Sequence, residues 1–374
     1  MRAFSAVLTG AVLMVGLPAC AGDGASTQTT TAESVQLTTV TEGLEHPWGL
    51  AFLPDGDALV TERPGRLSRV NMATGQRTVI QGVPAVAARG QGGMLDVALH
   101  PRFADNGRVY LSYSEPGNDG SLTAVGRGVL RDDRLESFEV IFRATPPTDR
   151  AKHFGSRLIF DDQGYLFITS GERGARDNAQ RLESHHGKII RLHDDGRVPE
   201  DNPFLSRQGA HPGIYSYGHR NPQGAIFHPP TGQLWVNEHG PQGGDEVNIV
   251  KPGANYGWPL TTYGEEYGGG YIGPGTMEGI EPPIHHWTPS IAPSGMLYYD
   301  GDAFPQWRGN IFVGALAHAH LSRLVLDGET VVEEEKLLEE QGWRIRAVDQ
   351  GPEGHIYVLV DSDDAPLVRI SPAR

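Results

Sequence analysis

Cysteine is nearly absent from this chain of 374 residues: Cys20 is the only one. An intrachain disulfide is therefore excluded, even though export would permit one. Basic residues are outnumbered as well, 31 Lys and Arg against 46 Asp and Glu, for a net charge of −15. That balance argues against a nucleic-acid partner, which requires a basic face, and suits a soluble protein that binds cations. Long apolar runs are missing; the one from about Ala6 to Leu17 is too short to span a bilayer comfortably. It follows Arg2 and ends in Leu17-Pro18-Ala19-Cys20, so residues 1–20 read as an export signal with a lipobox-like end. Lipidation at Cys20 would tether the protein to the cell envelope, while the proline inside the box leaves ordinary signal-peptidase cleavage and a periplasmic protein as the alternative. Residues 21–34 (AGDGASTQTTTAES) are small and polar, the composition of a flexible tether. Amphipathic helices are also lacking; Glu329–Glu340 reads as an exposed strand or a short helical turn.

Glycine and proline are abundant, 49 and 27, and they punctuate a recurring pattern. A short apolar strand runs into a Pro/Asp/Gly turn, and a second strand leaves it. GLAFLPDGDALVTERPGRLSRV is the first copy, LDVALHPRFADNGRVYLSYSEP the second and RLIFDDQGYLFITSGERG the third. GAIFHPPTGQLWVNEHGP, GMLYYDGDAFPQWRGNIFVGAL and IRAVDQGPEGHIYVLVDSDD complete six. Turns such as PDG, DQG and PPTG favour tight hairpins, because Gly and Asp tolerate the backbone angles required. Six copies between Val35 and Arg374 predict an all-β, six-bladed β-propeller, each hairpin forming the inner part of a four-stranded blade. A generic β-sandwich or barrel is the competing architecture. Uneven spacing places long insertions around copies three to five.

The chemistry concentrates in Ser216–Trp258, read as SYGHRNPQG, NEHGPQGGDEVN and GANYGW. Its glycines and prolines make poor helix or strand and good loops, of the kind that hold carbonyls and carboxylates around a hard cation such as Ca²⁺. Other polar residues stand just before successive copies: Gln91 in RGQGGMLDVALHP, His153 in KHFGSRLIF, Arg220 and Asn221 in GHRNPQG, and Arg344 and Arg346 in WRIRAV. Equivalent places in equivalent blades would bring them to one channel mouth. One histidine among three arginines is a base beside an anion-attracting pocket, and the arginine fork suits planar carboxylates.

Taken in order, RGQGGMLDVALHP, HFGSRLIF, GHRNPQG, GGDEVN, NYGWP and WRIRAV resemble the soluble PQQ-dependent aldose sugar dehydrogenases, related to soluble quinoprotein glucose dehydrogenase. The resemblance implies PQQ and Ca²⁺ as cofactors, an aldose sugar as substrate and an external electron acceptor. It implies that His153 takes the proton of the anomeric hydroxyl while C1 passes hydride to PQQ, giving a lactone. Arg220 would stabilise charge at the reactive carbonyl, and Gln91, Asn221, Arg344 and Arg346 would hold the quinone. The carbonyls of Gly240 and Pro241 would bind the Ca²⁺ on PQQ, and Glu246 with the main-chain oxygen of Tyr256 a second, structural Ca²⁺. Two positions depart from the glucose dehydrogenase branch: Lys152 stands where that branch has an acid, and Ala317 where it has a cofactor-binding lysine. A Ca²⁺-dependent propeller lactonase and a non-catalytic propeller that binds a protein or glycan are the competing functions; the arginines count against the first. His185–His186 and His285–His286 are poor metal pairs, because neighbours on a strand face opposite ways. His318 and His320 are read as surface or cofactor contacts, Trp287 as core or cofactor contact, and Tyr267 as an entrance residue.

Overall fold

The computed structural model describes residues 26–29 and 34–373. Cys20 and the signal-like segment, and with them the expectations of export and lipidation, lie outside the described residues.

Six antiparallel sheets follow one another along the chain, as the repeat predicts. Blade 1 begins with Pro47–Phe52, blade 2 with Met94–Leu99 and blade 3 with Gly155–Phe160. Blades 4, 5 and 6 begin with Pro222–His228, Pro293–Tyr298 and Ile345–Gln350. Each of these first strands packs on the first strands of both neighbouring blades, so the six close a ring around a central channel. Blade 6 is completed from the other end of the chain: Ser34–Leu44 pairs with Ala365–Pro372 and thereby closes the ring. Part of the presumed tether is strand too. Ser26–Thr29 pairs antiparallel with the start of Ser34–Leu44, so this sheet starts before the expected boundary at Val35. Threonines suit extended backbone, and the outer edge of the closing strand offers unpaired groups to bond.

The hairpins form for local reasons. In blade 3, Asp161 Oδ1 accepts from the Gln163 and Tyr165 amides at 3.0 and 2.8 Å, and the Gly164 amide returns to the Asp161 carbonyl. Gly164 has φ of +83°, a conformation that a side chain would strain. Among the described residues the apolar faces build six cores between adjacent blades, beside a small seventh cluster of Trp48, Leu95 and Phe154; Trp235 is fully buried in the core shared by blades 4 and 5, and Trp307 in the one shared by blades 5 and 6. The longest insertions fall within blades 3 and 4, at 171–187, 194–213 and 251–284.

One irregularity recurs in all six blades. The first strand slips register against the second just after its start, between Pro47 and Leu50 in blade 1 and at the matching place in every other blade. Such bulges bend a strand and re-aim its side chains. Here they turn Asp96, Arg157, Gln223 and Arg346 toward the axis.

Candidate active site

These re-aimed side chains make a polar floor. Arg157 pairs with Asp96 at 2.8 Å and donates from Nε to the Gln223 carbonyl at 2.9 Å, with its guanidinium 4.3 Å from the Trp48 ring centre. Arg346 donates to Gln223 Oε1 at 3.0 Å and to Asp361 Oδ2 at 2.9 Å. Above this floor, at the channel mouth where the first strands begin, lies a cavity of about 250 Å³. Four of the residues singled out in the sequence line it: Gln91, Asn221, Arg344 and Arg346. Arg63 and Asp361 join them. Burial alone would raise the Asp361 carboxyl, but Arg346, a hydrogen bond from His46 and Arg344 outweigh it and hold the group well below the usual carboxylate range. Arg344 is half exposed and donates to the Leu316 carbonyl at 2.7 Å.

His153 stands at the edge of this cavity, next to Phe154 and Gly155, which line it. Its amide is held by Gln91 Oε1 at 2.7 Å, and its Nδ1 lies 2.5 Å from Glu172 Oε1. An ionised carboxylate only accepts, so Nδ1 carries the proton and Nε2 presents a lone pair. No described group bonds Nε2. Burial lowers the affinity of this imidazole for a second proton, Glu172 opposes that, and the positive charges of Arg220 and Lys152 add to it; the net direction is down. A neutral imidazole with a free Nε2 is equipped as a general base near neutral pH.

Arg220 reaches the same place from blade 4. It donates to the His239 carbonyl and to the Tyr267 hydroxyl, both at 3.2 Å, while its buried Nε has no acceptor. Asn221 accepts from the Gly155 amide at 3.2 Å, tying blade 4 to the segment that bears His153. His239 donates from Nε2 to the Pro293 carbonyl at 2.8 Å and is pushed down to about 3 by burial, then by Arg220.

The glycine-rich turn after His239 is shaped by Asp245, which takes the Gly240 amide on one oxygen and Ser290 and Ala292 on the other. A side chain at Gly240 would collide with the Gly243 and Gly244 carbonyls, so the turn needs glycine there. Arg220, Gly240, Glu246 and Tyr256 line one small depression beside the main cavity, and Pro241 follows in the chain. Glu238 and Glu246 sit opposite each other on paired strands, with Asn248 bridging them at 3.2 Å to each. Burial, then the Glu238 charge, raises the proton affinity of Glu246. Among the described residues no Lys or Arg side chain pairs with either carboxylate, and no donor reaches the carbonyls of Gly240 and Pro241. The Tyr256 hydroxyl is already engaged by Ile249 and Lys251, which leaves its main-chain oxygen. Buried carboxylates without a Lys or Arg partner and open carbonyls are the oxygen set that Ca²⁺ takes, so the residues fit the cation. The unpaired guanidinium nitrogens of Arg220 and Arg346 likewise fit an acidic quinone over the cavity. Among the described residues no three His, Cys, Asp or Glu side chains gather as a metal cluster, so carbonyls have to contribute here.

Other expectations separate. Ala317 lines the cavity, whereas neither His318 nor His320 does. Trp287 is buried and donates to Glu334 at 2.9 Å, a packing role. Tyr267 is 70 % exposed at the entrance. His185 stacks on His211 and His286 on Tyr263, with no metal geometry between them. Sequence reasoning missed Glu172, Gln223, Asp361 and Arg63. Glu172 had a signal: it follows His153 by the same interval as Glu238 follows His219 in the next repeat.

The family profile described as Glucose / Sorbosone dehydrogenase matches residues 44–369. The aldose sugar dehydrogenase YliI of Escherichia coli is 46% identical over 346 residues, 91% of this chain and 93% of that protein. The crystal structure of the soluble aldose sugar dehydrogenase from Escherichia coli, in its apo form, superposes with a TM-score of 0.89 at 45% identity, covering 91% of this chain and 100% of that one. A PQQ-bound aldose sugar dehydrogenase from Streptomyces coelicolor gives 0.75 at 29% identity, over 94% and 99% of the two chains.

Proposed function

The chain belongs to the glucose/sorbosone dehydrogenase family, and from that premise we propose that it oxidises aldose sugars at the anomeric carbon to lactones, with PQQ and Ca²⁺ as cofactors. The observation that carries this reading is the His153–Glu172 pair at the edge of an arginine-lined cavity. PQQ, when bound, supplies a two-electron acceptor for the hydride leaving C1, and Ca²⁺ a Lewis acid beside it. The chain's own residues do the rest. Nε2 of His153 accepts the anomeric hydroxyl proton, and Glu172 stabilises the imidazolium that forms and fixes the ring by its short bond to Nδ1. Arg220, held by the His239 carbonyl and Tyr267, aims its fork where negative charge develops. Gln91 links cofactor pocket and base by holding the His153 amide. Arg344, Arg346 and Asn221 line the pocket that would hold the quinone; Gly240, Pro241, Glu246 and the Tyr256 carbonyl would hold the cations. An external acceptor must then remove the two electrons.

Reconstitution tests this directly. Apoprotein given PQQ and Ca²⁺ is expected to reduce a dye with several aldoses, and to do nothing with either cofactor omitted. A protein that binds both and hydrolyses lactones, or that shows no turnover, would refute it.

A further inference from the structure

We propose that the site favours aldoses carrying a fixed negative charge remote from C1, a carboxylate or a phosphate, recognised by a crescent of cations beside His153. This rests on the sugar dehydrogenase reading above and names its substrate class.

The molecule is strongly acidic overall, yet Arg89, Arg150 and Lys152 stand exposed around the base. Two short strips carry them, and these are fastened into one platform. The Gln91 amide donates to the Ala151 carbonyl at 2.8 Å, and Gln91 Oε1 takes the His153 amide at 2.7 Å. The guanidinium of Arg89 bonds the Asp149 carbonyl and that of Arg150 the Gly174 carbonyl. Carbonyls fix the direction of a guanidinium without cancelling its charge. Lys152 and Arg150 converge: a side chain at Gly174 would meet Lys152 Cε at 2.5 Å and Arg150 Cδ at 3.4 Å.

Among the described residues no carboxylate comes within ion-pair distance of Arg89, Arg150 or Lys152. Asp149 is exposed in the same loop, and Glu172 is occupied by His153. Of the other cations around the mouth, Arg346 and Arg344 share Asp361 and Arg176 pairs with Glu266 at 2.5 Å, while Arg220 and Arg63 meet only carbonyls and a hydroxyl. Positive charge without a carboxylate partner therefore lies on the side of His153, where Lys152 and Arg220 both act on the ring. Like charges held together repel one another and are relieved by an anion, whereas the hydroxyls of a neutral sugar relieve little of that repulsion. A uronic acid or a sugar phosphate keeps the anomeric hydroxyl for oxidation and offers its charge to the crescent.

The full chain loaded with PQQ and Ca²⁺ would be assayed with D-glucose, D-glucuronate and D-glucose 6-phosphate, using an uncharged dye at about pH 8, above the unperturbed histidine range. The charged sugars are expected to show higher kcat/KM through lower KM, the phosphate most of all, with the advantage shrinking as salt rises. In Arg150→Gln and Lys152→Gln variants that advantage should fall about 2–5-fold per charge removed, while glucose oxidation stays within about 2-fold. Charged sugars no better than glucose at low salt would overturn the proposal. So would variants that weaken PQQ binding instead, or that alter dependence on the electron acceptor rather than on the sugar. No turnover of any sugar by the loaded protein would overturn the dehydrogenase reading itself, and this proposal with it.

Discussion

Two histidine–glutamate pairs occupy equivalent places in blades 3 and 4, and only one is equipped for chemistry. His153 lies 2.5 Å from Glu172, and His219 2.8 Å from Glu238, Nδ1 to Oε1 in both. Each histidine precedes the first strand of its blade, and each glutamate closes the hairpin. In blade 4 every polar atom of the pair is engaged. Nε2 of His219 meets Ser216 Oγ at 2.8 Å, the ring stacks on Tyr256, and Glu238 also takes the Arg220 amide at 2.6 Å. In blade 3 no described group bonds Nε2 of His153, Glu172 Oε2 is unbonded, and His153 holds φ of +54°. The same dyad is therefore a fastener where both nitrogens are tied and a base where one is left free.

Substitution should separate the two by the largest margin expected here. His153→Ala should remain folded and bind PQQ, yet slow its reduction by sugar roughly 10²–10⁴-fold, the usual contribution of a positioned acid–base group. His219→Ala should instead destabilise the protein by about 1–3 kcal/mol, because Glu238 loses a buried partner. Rapid-mixing reduction kinetics beside denaturant unfolding would check both. Near wild-type reduction in folded His153→Ala, or a slow but fully stable His219→Ala, would erase the distinction.

Calcium sharpens the contrast, since Glu238 of the fastened pair faces Glu246 across the strands. A cation bound only by the folded protein raises stability by about 2.7 kcal/mol at a hundred times its Kd. Chelation should accordingly lower Tm by several degrees, and Glu246→Gln should lose most of the shift regained when Ca²⁺ is restored. A melting curve indifferent to chelator would mean that the two carboxylates are stabilised some other way.

The fold was legible because a hairpin is a local object: Asp161 and Gly164 write their turn within a few residues. Ring closure was less so, since Ser34–Leu44 finds Ala365–Pro372 across nearly the whole chain. Gln91, His153, Arg220, Asn221 and Arg346 could be picked out because each precedes or opens a repeat. Asp361 and Arg63 could not, because their importance comes from neighbours contributed by other blades. The register slips that turn Gln223 and Arg346 inward leave no mark in composition. The Ser26–Thr29 strand was hidden by a polar composition that suits a tether and an edge strand equally.

A third kind of histidine completes the comparison, with a smaller effect. His186 is buried and His185 partly so, neither with a carboxylate partner. Burial, then His211, pushes His185 down to about 3, and burial, then Arg173 and Lys188, pushes His186 down to about 4. In the unfolded chain both should titrate near 6.5, so as pH falls below that value the unfolded state takes up protons that the folded state refuses. Their contribution to stability is complete above the unfolded pKa and is lost as pH drops from about 6.5 toward 4, with a slope approaching about 1.4 kcal/mol per pH unit for each ring. His186→Phe should be less stable than wild type at pH 7.5 if the Asn178 contact at 3.2 Å matters there. That deficit should shrink steadily down to pH 5, because the variant no longer has this ring to protonate on unfolding. Urea midpoints at several pH values would show it. A deficit that stays constant across the range would mean that His186 is not held neutral, and that burial beside Arg173 and Lys188 does not suppress its charge.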